Sequence, residues 1–182
     1  MRIKKVTAAL SGKRIYIAGD DDGRQWLGDG TVFYLMDERI DFTPDNTLTI
    51  MDVDPKKYGE YTVTEMPIMA QAGMETQEGE EELKPMIQVS VGGGKTVLLM
   101  AADGKLAALD QKYIQPVEDE GEIEFRLRTS TDRITGGQLP PVIAMYGNMF
   151  CSGIAAPKIR TQVDNILEIM QQIVNGSTGY VI

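Results

Sequence analysis

The sequence predicts an α+β fold in which antiparallel β-hairpins form a sheet packed by a C-terminal helix, with room for two sub-lobes. Three observations carry this. Asp103-Gly104 and Gly147-Asn148 each separate two apolar runs, as two-residue hairpin loops do. Glu122 to Arg128 alternates, with Ile123, Phe125 and Leu127 against Glu122, Glu124, Arg126 and Arg128, the pattern of a half-buried strand. After Pro157, Ile159, Val163, Ile166, Leu167, Met170, Ile173 and Val174 recur at helical spacing until Asn175-Gly176, which suits a core-covering helix.

Taken in order, Arg2–Leu10 and Arg14–Ala18 read as a first hairpin around Ser11-Gly12, followed by an Asp20–Gly23 turn. Thr31–Met36 is rich in β-branched and aromatic residues and predicts a strand. Thr43–Val53 fits helix or strand. Asp54-Pro55 has the form of an N-cap followed by proline at the first helical position, giving a short turn through Tyr58. Between Gln71 and Pro85 the glutamates crowd a stretch with few β-formers, which predicts a solvated loop between sub-lobes. The expected organisation is a β-rich sub-lobe over 1–70, an acidic flexible loop over 71–85, and a hairpin sub-lobe with the terminal helix over 86–182. Val97–Ala102 and Lys105–Leu109 form the hairpin at Asp103-Gly104, and Pro141–Tyr146 and Met149–Ile154 the one at Gly147-Asn148.

Composition narrows the function. The 182 residues are 42% hydrophobic and 25% charged, the balance of a chain that buries a core. Net charge is −9, which disfavours broad attraction to nucleic acid or anionic lipid. No window reaches the run of about 18 apolar residues that a membrane span needs, and no secretory signal is evident. The single cysteine, Cys151, rules out an intrachain disulfide and suits a reducing compartment. Histidine is absent, which removes the usual proton shuttle and the commonest zinc ligand.

Three motifs fail on inspection. Gly92-Gly93-Gly94-Lys95-Thr96 imitates the end of a phosphate-binding loop, but Val89 stands where the first glycine belongs and a strand follows instead of a helix. Asp20, Asp22 and Asp29 lack the glycine and closing glutamate of a calcium loop, Gln25 and Thr31 standing there instead. Cys151 sits in an apolar run with no histidine to activate it, as a buried structural cysteine does. No catalytic, cofactor-binding or metal residue is assigned, and no cofactor is expected.

The candidate interaction surface is Trp26, Arg24, Arg126 and Arg128. Trp26 lies in a glycine-flanked stretch and offers a large flat side chain either to an interface or to the end of the core. Arg126 and Arg128 share a strand face and, with Arg2, Lys4, Lys5, Lys13 and Arg14, form either a basic sheet surface or a solvated one.

Gly104 to Pro116, with its Asp110-x-x-Tyr113-x-x-Pro116 ending, resembles segments of uncharacterised phage and prophage proteins. The resemblance implies a mobile-element origin and a location in the bacterial cytoplasm, and carries no functional residue across. The expected function is that of a non-enzymatic phage or prophage-derived protein acting by self-association or macromolecular binding. The expected partner is a second copy or another protein, and DNA only through a local basic face. One alternative is a clamp-like accessory factor in phage DNA replication, and another is a histidine-free hydrolase using carboxylates.

Overall fold

The computed structural model describes residues 3–10, 12–91, 94–132 and 135–158. The expected C-terminal helix from Ile159 onward lies outside the described residues. So do Ser11 of the expected first loop and Gly92-Gly93 of the glycine run.

The fold is α+β, with one ten-stranded sheet and a few short helices. The strands are β1 (Arg14–Gly19), β2 (Gln25–Gly28), β3 (Val32–Leu35), β4 (Thr62–Glu65) and β5 (Glu81–Val91), then β6 (Gly94–Ala101), β7 (Leu106–Asp110), β8 (Ile123–Arg128), β9 (Val142–Gly147) and β10 (Phe150–Ala155). Their order is β4-β1-β2-β3-β10-β9-β8-β5-β6-β7. Every pairing is antiparallel except that of β1 with β4. The sheet is continuous from the first half of the chain into the second because β10 pairs with β3 on one side and β9 on the other.

One face of the sheet meets α1 (Ile3–Ala9) and α3 (Gln111–Ile114) in the main core. Val6, Leu27, Tyr34, Leu99, Ile143 and Met145 are among its fully buried members. The Tyr34 hydroxyl, inside this core, donates to the carbonyl of Tyr113 at 2.9 Å and so ties β3 to α3. The opposite face carries a smaller cluster of Trp26, Phe33, Ala72, Tyr146, Cys151 and Ile154. Among the described residues no helix is long and apolar enough to cross a membrane.

Four expectations change. Residues 3–9 form a helix, not the first strand of a hairpin: Val6, Ala9 and Leu10 repeat at helical spacing and bury together. The first hairpin is instead β1 with β2, closed by the Asp20–Arg24 turn. The ambiguous 43–53 stretch resolves into a single helical turn, α2 (Thr47–Ile50). The β9–β10 loop is Asn148-Met149, one residue later than expected, because Phe150 pairs with Gly147. Both loop residues have positive φ, 51° and 73°. Finally, the 71–85 stretch divides: residues from Glu81 onward belong to β5, and the segment before them lies against the sheet.

Other expectations hold. Asp54 accepts from the Lys56 amide at 3.0 Å and starts the 3-10 turn Pro55–Glu60. β6 and β7 flank Asp103-Gly104, and in β8 Phe125 buries while Glu124 stays exposed. Cys151 is a free, fully buried cysteine.

Candidate functional site

Trp26 belongs to the interior. It lies in β2 with no exposed surface, and its indole N–H donates to Asp20 Oδ2 at 3.2 Å. Asp20 Oδ1 also accepts from the amides of Asp22 at 3.0 Å and Arg24 at 2.9 Å. Asp29 does the same for Thr31 at 3.0 Å in the next turn. Two of the three aspartates of the calcium-like stretch therefore close turns with their own carboxylates, the usual behaviour of a turn aspartate. Arg24 is partly exposed at the first turn, paired with Asp22 and with Glu38 at 3.2 Å. It lines an open polar cleft of about 530 Å³ with Asp37, Glu38 and Asp41.

Arg126 and Arg128 do share a face of β8, but that face is covered. Arg128 has no exposed surface, and its guanidinium is saturated. Nε donates to Glu80 Oε1 at 2.6 Å, Nη1 to the carbonyls of Gln71 at 2.7 Å and Gly73 at 3.2 Å, and Nη2 to the carbonyl of Glu75 at 3.1 Å and Tyr146 Oη at 2.8 Å. The Tyr146 hydroxyl also reaches Glu80 Oε2 at 2.7 Å. The acidic segment is thus fastened through its main chain to one buried cation, which is why its composition alone suggested a free loop. Arg126 stacks 5.4 Å from the Tyr146 ring and pairs with Glu124 at 3.3 Å. In the sheet order β3, β10 and β9 lie between β2 and β8, so the four residues do not form one surface.

This buried cluster is poor in reactivity. Burial pushes the Cys151 thiol up to about 11, and burial with the Glu80 hydrogen bond pushes the Tyr146 hydroxyl up to about 12. Both hold their protons at neutral pH, so the thiol is not a nucleophile there.

The feature left unsatisfied is an edge. β5 pairs with β6 along its length, from Leu83 with Ala101 to Val91 with Gly94. On its other side it pairs with β8 over Glu81, Glu82 and Leu83 only. From Lys84 to Val91 no described strand covers that side. At about 3.3 Å per residue this is roughly 26 Å of edge. Met86 and Ile87 stand on it, 40% and 50% exposed. Pro85 and the irregularity between Pro85 and Ile87 mark its start, where a strand interior tolerates proline because the N–H has no ladder partner to lose. The sequence carried a usable signal that composition obscured: Ile87, Val89 and Val91 alternate with Gln88 and Ser90. A second exposed apolar feature is the β9–β10 loop, where Met149 is 91% exposed beside half-exposed Phe150.

No protein family, curated protein or solved structure matches this chain.

Proposed function

We propose that this chain is a non-enzymatic binding protein that acts by strand addition, taking an extended segment onto the free edge of β5. The observation that carries the reading is the unpaired stretch Lys84–Val91 inside a sheet whose other central strands are covered on both sides. Unpaired N–H and C=O groups in a row are a template for another strand, and natural sheets ordinarily blunt such edges with charges or short length. Between Lys84 and Lys95 this strand and its loop carry no charge at all. The resemblance of 104–116 to phage and prophage proteins agrees with a small binding component.

The clamp-like alternative finds less support. Lys4, Lys5, Lys13, Arg126 and Arg128 each lie within ion-pair distance of a carboxylate, which leaves little positive surface for phosphates. For the hydrolase alternative, the buried carboxylates of Asp20 and Glu80 are engaged by turn amides, an indole, a guanidinium and a phenol.

The test uses a synthetic peptide with the sequence of residues 84–91. It should bind the full chain by fluorescence anisotropy, and the Ile87→Lys/Val89→Lys double variant should lose that binding while keeping its circular dichroism spectrum. Equal binding to both proteins, or none to either, would contradict strand addition at this edge.

A further inference from the structure

We infer that the occupant of the β5 edge is a second copy of this chain, paired antiparallel across a two-fold axis near Gln88 and Val89; this rests on the strand-acceptor reading above.

Charge decides between copies and orientations. Each chain carries −9, so two copies repel unless they meet where charge is absent or opposite. Residues 86–94 are that place, an uncharged run in a chain that is 25% charged. The ends of the run differ in sign. The loop end of the β5–β6 hairpin carries exposed Lys95, and the base end carries exposed Glu82, with exposed Glu122 just before β8. Antiparallel pairing lays the loop end of each copy against the base end of the other, so Lys95 approaches the Glu82 and Glu122 region twice by symmetry. Parallel pairing would set lysine beside lysine and glutamate beside glutamate, which is unfavourable across strands.

Geometry agrees. β8 stops at Ile123, so an incoming strand has room from the irregularity at Pro85 onward and continues the sheet on the line β8 vacates. A two-fold contact is self-complementary and closes, leaving neither copy with a free β5 edge. The covered surface is small, so the dimer is of the weak, concentration-dependent class.

The chain's own chemistry supplies the reporter. Cys151 is fully buried and its thiol is protonated at neutral pH, so one cysteine introduced on β5 is the only reactive thiol. Ile87→Cys, Gln88→Cys and Val89→Cys are made singly and oxidised mildly, alongside light scattering of the unmodified chain over a dilution series. The expected results are a rise from monomer to twice the monomer mass on concentration, and a disulfide-linked dimer from the variant nearest the axis. Lys95→Glu should shift the dimerisation midpoint to higher concentration by tenfold or more.

A chain that stays monomeric when concentrated overturns the inference, as does a dimer that none of the three cysteines cross-links. Assemblies that grow without stopping at two overturn it too. In each of these cases continued binding of the 84–91 peptide would leave the strand-acceptor reading standing, whereas loss of peptide binding would remove both.

Discussion

Replacing Arg128 by leucine removes the cation on which the 71–80 segment is fastened. The substitution strands the Glu80 carboxylate, 1% exposed, with a phenol as its remaining partner, and orphans the carbonyls of Gln71, Gly73 and Glu75. Breaking a buried ion pair from one side costs about 3–5 kcal/mol, and each orphaned carbonyl that water cannot reach adds to it. For a chain of this size 1 kcal/mol moves the melting temperature by about 2–4 °C, so a fall of roughly 6–20 °C is expected. Circular dichroism melting reads the fall. Digestion with a glutamate-specific protease reads its location, since Glu75, Glu78 and Glu80 should become the first sites cut. The Arg128→Leu/Glu80→Leu double variant should recover much of the loss, because an apolar pair of similar volume needs no partner. A melting temperature within about 2 °C of the parent would refute the argument, since a saturated buried cation cannot be that dispensable.

Three further outcomes follow from local geometry. Gly28→Ala should destabilise by at least about 1–3 kcal/mol in urea unfolding, because the new Cβ would lie 2.2 Å from the Val32 carbonyl oxygen and 2.4 Å from the Phe33 ring. Met149→Gly should stabilise by about 1 kcal/mol, since Met149 holds φ at 73° with a 91% exposed side chain that loses no burial; thermal melting checks the sign. Cys151 and Tyr146 are acids whose pKa values are higher folded than unfolded, so their contribution is whole below about pH 9 and lost as pH rises from there towards 12. Melting temperature should therefore fall over that range, and Cys151→Ala should flatten its lower part; a melting temperature that climbs with pH would reverse the sign.

Much of the fold could be read from local pattern. The β6–β7 hairpin announces itself because Asp103-Gly104 suits a turn that few other dipeptides do, and β8 because half its residues face a core. The helix at residues 3–9 was hidden by brevity: seven residues contain only two turns of evidence, and alternation of Lys and Val imitates a strand. β2 was hidden by glycine, since Gly28 looks like a loop residue until the approach of Val32 and Phe33 shows why nothing larger fits. The site was less legible. Arg128 on an alternating strand face reads as solvated, and only the distant carbonyls of 71–75 make it interior. The edge of β5 depends on where β8 ends, a property of two strands 32 or more residues apart in the chain that no local pattern encodes.

The most direct test of the account is residue-resolved amide hydrogen exchange across Lys84–Val91 in the dilute chain. A free edge predicts alternation: amides facing β6 are protected, and every second amide, facing outward, exchanges near the rate of an unstructured chain. Adding the 84–91 peptide should then protect those outward amides. Uniform protection across the stretch at high dilution, unchanged by the peptide, would mean the edge is already covered and would contradict strand addition.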